Sequence, residues 1–125
     1  MANASLIAVV DDDESPRESL ENLLTSLGYA VEVFSSAEGF LHSDALAKAD
    51  CLILDVHMPG ISGPDLQREL NRRGLKIPIV FITAHRDERV ISRIMTDGAI
   101  ACLLKPYGVD SLLNGIRQAL AEGRR

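Results

Sequence analysis

The sequence predicts a doubly wound α/β fold, a five-stranded parallel sheet of five βα units with strand order 2-1-3-4-5. Three observations predict it. Short apolar runs bounded by turn residues recur along the chain, as strands buried on both faces require. Between them lie segments with apolar residues at helical spacing, the mark of one buried helix face. Polar residues close the apolar runs, where an open parallel sheet places its ligands. Right-handed crossovers then leave few other topologies.

Taken in order, Leu6 to Val10 is a buried strand ending at Asp11-Asp12-Asp13. Ser15 is the expected helix N-cap, with Pro16 at the first helical position and Glu18 completing a capping box. Leu20, Leu23, Leu24 and Leu27 give that helix its apolar face, and Gly28 closes it. Ala30 to Phe34 alternates enough for a strand near the sheet edge. Ser35 or Ser36 caps a second helix carrying Phe40, Leu41, Leu46 and Ala47.

Cys51 to Asp55 is the central strand, ended by the Pro59-Gly60 turn. A third helix starts at Gly63-Pro64, turns Leu66 and Leu70 inward and stops at Gly74. Ile77 to Thr83 is the fourth strand. A fourth helix, Asp87 to Asp97, has Val90, Ile91, Ile94 and Met95 on its apolar face. Ala99 to Leu104 is the fifth strand, ending at Lys105-Pro106. The last helix, Val109 to Glu122, buries Leu112, Leu113, Ile116 and Leu120.

The 125 residues read as one domain, 1–125, large enough to bury a core without staples. A net charge of -5 argues against direct nucleic-acid binding by this segment. Cys51 and Cys102 lack metal-type spacing, fall in strands and read as buried apolar residues in a reducing compartment. No apolar run is long enough for a membrane span and no signal-peptide pattern is present, so the expected location is cytoplasmic, with no membrane contact.

In the 2-1-3-4-5 order, the first and third strands are neighbours at the switch point. Asp11, Asp12 and Asp55 then converge on one crevice, flanked by Thr83 and Lys105. Two carboxylates about 4 Å apart repel by roughly 4 kcal/mol at an effective dielectric near 20. The cluster therefore calls for a cation, and hard oxygen ligands without a His/Cys set indicate Mg²⁺. A lysine and a threonine hydroxyl across the crevice suit phosphoryl oxygens, and an aspartate can itself accept a phosphoryl group. Each residue alone has a plainer reading: Asp55 as a loop acid, Asp11 to Asp13 as partners of a helix dipole, Lys105 as a solvated lysine. His57 and His85 alone read as surface loop histidines, and Arg86, Arg89 and Arg93 as the wet side of a helix.

The ordered set Val9-Val10-Asp11-Asp12-Asp13, Leu54-Asp55-Val56-His57-Met58-Pro59-Gly60, Ile82-Thr83-Ala84 and Lys105-Pro106 resembles bacterial response-regulator receiver domains over essentially the whole chain. Met58 to Gly63 and Asp65 to Leu70 look most like receivers of FixJ-type transcriptional regulators. The resemblance implies a flavodoxin-like receiver fold in which Asp55 accepts a phosphoryl group from a sensor-kinase phosphohistidine or a phosphotransfer protein. It also implies Mg²⁺ held by Asp12, Asp55 and the His57 backbone carbonyl, with Asp11 acting through water. Thr83, Ala84 and Lys105 would hold the phosphoryl oxygens, and Lys105-Pro106 would be cis. The implied outcome is a phosphorelay switch in transcription regulation, acting on a partner, a C-terminal DNA-binding output domain or a dimer formed on phosphorylation. One position departs: receivers commonly carry Tyr or Phe three residues before the site lysine, and here stands Cys102, with Tyr107 beyond Pro106.

Two rival functions remain open at this level. Asp11 and Asp13 have the i, i+2 spacing of metal-dependent phosphatases with an aspartyl nucleophile, although Asp55 is then unexplained. A receiver-like binding module that switches without phosphate is the other.

Overall fold

A buried apolar strand must pair its backbone N–H and C=O groups, and a parallel sheet does so for every run at once. The computed structural model describes residues 4–124. Its strands are β1 (Leu6–Val10), β2 (Ala30–Phe34), β3 (Cys51–Asp55), β4 (Ile79–Thr83) and β5 (Ala101–Leu104). They form one parallel sheet in the expected order β2-β1-β3-β4-β5. The helices are α1 (Glu14–Ser26), α2 (Ala37–Leu41), α3 (Ala45–Lys48), α4 (Gly63–Arg72), α5 (Glu88–Thr96) and α6 (Val109–Glu122).

Because side chains alternate along a strand, the sheet has two cores. On one face, Leu20 and Leu24 of α1 and Leu112, Ile116 and Ala119 of α6 pack on Ile7, Val9, Ile53 and Ile82. On the other, Phe40, Leu66, Leu70 and Ile94 pack on Ala8, Val10, Leu52, Leu54 and Phe81. Each fully buried Leu, Ile or Phe contributes about 1.5–3 kcal/mol relative to exposure. β3 and β4 are buried at every residue, whereas β2 is the half-exposed edge that its alternation predicts.

Local chemistry moves several boundaries. Asp13, not Ser15, is the N-cap of α1: its carboxylate accepts the Ser15 N–H at 3.3 Å, so the helix starts at Glu14. The expected second helix is two short ones. Ser43 ends the first by donating from both its N–H and its hydroxyl to the Phe40 carbonyl. β4 begins at Ile79, not Ile77, and Pro78 before it has no N–H to donate. β5 begins at Ala101, not Ala99, because the Ala99 N–H is bound to the Ile94 carbonyl at the end of α5. Met95 was expected inward but is 41% exposed, since Ile94 takes the buried position of α5. Cys51 is buried as expected; Cys102, on edge strand β5, is only half-buried.

Candidate functional site

Strand register assembles the crevice. Val10 pairs with Leu54, so Asp11 lies beside Asp55; Asp55 pairs with Ile82, so Thr83 is one step further along. Thr83 pairs with Leu104, the last residue of β5, so Lys105 follows immediately as the chain leaves that strand. All these residues lie at the carboxyl ends of the strands, with β1 and β3 adjacent at the topological switch point.

Asp11, Asp12 and Asp55 each bring a carboxylate oxygen to within 4.8 Å of the others. Asp11 is fully buried and Asp55 is 7% exposed, whereas Asp12 is open to solvent. Asp13 lies outside this set and caps α1. The Asp11 Oδ1 accepts the Asp13 N–H at 2.9 Å, but its buried Oδ2 has no hydrogen-bond partner among the described residues. Lys105 Nζ stands 3.7 Å from that oxygen and 4.0 Å from Asp55 Oδ2, too far to satisfy either by a hydrogen bond. A buried carboxylate oxygen left without a partner is costly, and three hard oxygen donors around it suit a divalent cation. The acidic cluster thus fits a metal by its donor chemistry and by its orphaned oxygen.

Burial, and then the negative charge of Asp11, push the Asp55 carboxyl up to about 6, against the opposing pull of Lys105. Withdrawal from water is the larger of the two causes.

Thr83 is buried, and its hydroxyl donates to the His85 carbonyl while accepting the His85 N–H, both at 3.1 Å. Ala84 between them is exposed. His57 and His85 are exposed loop residues, as expected, yet their rings meet edge to face with centroids 5.3 Å apart. The Lys105-Pro106 bond is cis, as the resemblance implied.

Cys102 packs against the core on the α4 and α5 side of the sheet. Tyr107 packs against the opposite core, with α1 and α6, where burial and Asp11 raise its phenol. Tyr107 and Cys102 thus lie on opposite faces of the sheet.

Two supporting residues were not marked by sequence reasoning. A Cβ on Gly63 would lie 2.3 Å from the Asp55 carbonyl oxygen, so only glycine lets α4 begin this close to the end of β3. The signal available was the glycine at the helix start, where it read only as punctuation. Arg17 donates from its Nη1 to the Asp11 carbonyl at 2.9 Å, tying α1 to the crevice. It sits outside every motif, so nothing in the spacing singles it out.

Fold and site define a doubly wound α/β protein with a carboxylate-lined crevice at its switch point. The chain belongs to the response regulator receiver domain family, whose model matches residues 7–117, and it is therefore a signalling domain of two-component systems. It is similar to the response regulator protein TodT of Pseudomonas putida, 44% identical over 94% of this chain and 52% of that protein. It is similar also to the transcriptional regulatory protein TdiR of Thauera aromatica, 42% identical over 98% of this chain and 54% of that protein. FixJ of Bradyrhizobium diazoefficiens is 34% identical, over 98% of this chain and 60% of its own length. Among solved structures, response regulator StyR matches with a TM-score of 0.88 and 47% identity, over 94% of this chain and 60% of that one. FixJ-N matches with a TM-score of 0.85 and 32% identity, over 96% of both chains. The chain spans little more than half the length of the relatives it matches. Among the described residues, no helix is long and apolar enough to cross a membrane.

Proposed function

We propose that this chain is a single domain over residues 1–125 and that Asp55 is its phosphoacceptor, taking a phosphoryl group from the phosphohistidine of a sensor kinase or phosphotransfer protein. The observation that carries this reading is the crevice itself: three carboxylates around one point, with Lys105 close to two of them. An ionised Asp55 oxygen attacks phosphorus, the P–N bond breaks as the P–O bond forms, and the imidazole leaves with its electron pair. With its carboxyl near 6, Asp55 is mostly ionised at neutral pH and so is a competent nucleophile.

Lys105 offsets negative charge on the transferring phosphoryl oxygens, and Thr83 and Ala84 hold those oxygens from the end of β4. For Thr83 this means giving up its donated bond to the His85 carbonyl. Asp12, Asp55 and the His57 backbone carbonyl would hold Mg²⁺, with Asp11 acting through water. Bound there, the ion would neutralise the carboxylates and polarise the phosphoryl oxygens.

Phosphorylation adds about -1.5 to -2 charges at the crevice. We read the output as a change in the loop 84–87 that follows Thr83, passed to α5 and on to a partner, a dimer or a C-terminal DNA-binding output domain in transcription regulation. Such a domain works in the cytoplasm, without direct nucleic-acid or membrane contact of its own. A phosphatase using Asp11 and Asp13 is disfavoured by the place of Asp13 at the α1 cap. Intact mass after incubation with acetyl phosphate tests the reading: one added phosphoryl group is expected with Mg²⁺ and none in chelator. Sustained hydrolysis of small phosphate esters, or no labelling, would reject it.

A further inference from the structure

The crevice carries oxygen ligands, but its rim carries nitrogen. β3 and β4 are register neighbours, so the loops leaving them run side by side, and each places a histidine shortly after the strand ends. His57 follows Asp55 by two residues and His85 follows Thr83 by two. Both loops are held close to their origin. The Val56 N–H donates to the Ile82 carbonyl at 3.0 Å, and the Thr83 hydroxyl grips the His85 backbone at both its N–H and its C=O. The chain is therefore held at His85 itself and at the residue before His57, and the rings stand 5.3 Å apart by their centroids.

That separation fits shared ligation. With metal–nitrogen bonds of about 2.0–2.1 Å, two adjacent imidazoles on one ion have ring centroids about 4.5 Å apart in tetragonal and about 5 Å in tetrahedral geometry. The histidine χ2 torsion is broad, so exposed rings can aim one nitrogen each at a common point without backbone movement. We propose that His57 and His85 form a two-imidazole site for a divalent transition-metal ion, using ring nitrogens that the carboxylate cluster and the His57 carbonyl do not call on. The group of mutually close ligand atoms among the described residues comprises Asp11, Asp12 and Asp55, so the pair supplies two nitrogens and solvent completes the coordination.

Ligand chemistry sorts the two sites. Carboxylate and carbonyl oxygens suit Mg²⁺, whereas neutral imidazole suits Cu²⁺, Ni²⁺ and Zn²⁺. The rim site should take Cu²⁺ more tightly than Ni²⁺ or Zn²⁺ and should ignore Mg²⁺.

The test uses the full chain in a non-coordinating buffer with excess Mg²⁺ and one equivalent of Cu²⁺, read by electron paramagnetic resonance. Hyperfine structure from two imidazole nitrogens is expected. His57→Gln and His85→Gln should each leave one nitrogen, while His42→Gln, which alters the third histidine of the sequence, should leave both. These exposed positions tolerate the change, and a circular dichroism spectrum checks each variant's fold. A wild-type spectrum without two nitrogens, or one that keeps two after loss of either rim histidine, overturns the proposal. Neither result depends on whether Asp55 takes a phosphoryl group.

Discussion

Thr83 and His85 hold each other through two hydrogen bonds of 3.1 Å, the threonine hydroxyl donating to one backbone group and accepting from the other. The hydroxyl has a single proton. It cannot donate to the His85 carbonyl and to a phosphoryl oxygen at once, so engaging the phosphoryl group releases the loop. Thr83→Ala should lower stability by about 1 kcal/mol in denaturant titrations. It should still be phosphorylated, but the amide shifts of residues 84–87 should no longer change on phosphorylation. Shifts as large as in the wild type would show that the loop responds by another route.

The carboxylates divide by exposure: Asp11 is buried and Asp12 is open. Asp12→Ala should weaken Mg²⁺ binding at least about tenfold, the loss already usual for an outer-shell partner, and more than Asp11→Ala does. Asp11→Asn keeps an acceptor for the Asp13 N–H while removing a like charge, so it should stabilise the metal-free protein. Calorimetric titration and thermal melts measure the two effects. Equal losses of Mg²⁺ affinity would reject the division of roles.

Acid should stabilise the metal-free fold over part of the pH range. Asp55 titrates near 6 when folded, against about 3.9 unfolded, so between these values the folded chain binds the extra proton. Its contribution is complete below the unfolded value and is lost as pH rises through about 6. Asp65 and Glu69 act in the opposite sense. Hydrogen bonds with Ser62 hold the Asp65 carboxyl low, and Arg72 and Arg73 hold that of Glu69 at about 2. Their contributions are present above their unfolded values and fall away only at lower pH, below about 4.5. In chelator, the wild-type Tm should rise as pH falls from about 7 to 5, and Asp55→Asn should flatten that rise. Parallel curves for the two proteins would contradict the assignment of the raised carboxyl to Asp55.

Gly63 leaves room for nothing. Gly63→Ala drives a methyl group into the Asp55 carbonyl and must displace either the β3 end or the start of α4. A loss of about 1–3 kcal/mol is expected, as for other overpacked sites. Phosphorylation should slow with it, because the same shift moves Asp55. Wild-type stability in urea would mean that the loop yields freely.

Much of this was legible in the sequence, for a physical reason. Strands buried on both faces need unbroken apolar runs, so β1, β3 and β4 announce themselves, and a polar residue ending such a run stands out. Asp11, Asp55, Thr83 and Lys105 were visible on those terms, and the 2-1-3-4-5 order brought them together. Competition between adjacent signals was not legible. Asp13 and Ser15 both suit the start of α1, and spacing does not say which caps it. The break between α2 and α3 depends on Ser43 bonding back to Phe40, a choice made by local geometry. The tight seat of Gly63, the Thr83–His85 clamp and the meeting of the His57 and His85 rings are contacts across the fold. They exist only once the register is set.

The central claim is that the phosphoryl group resides on Asp55 rather than on Asp11 or Asp12, which share its crevice. Borohydride reduction of an acyl phosphate converts that one aspartate to homoserine, and peptide mass spectrometry then reads the position. After incubation with a phosphodonor and Mg²⁺, the account predicts homoserine in place of Asp55 alone, absent without donor. Homoserine in place of Asp11 or Asp12, with Asp55 intact, would contradict it.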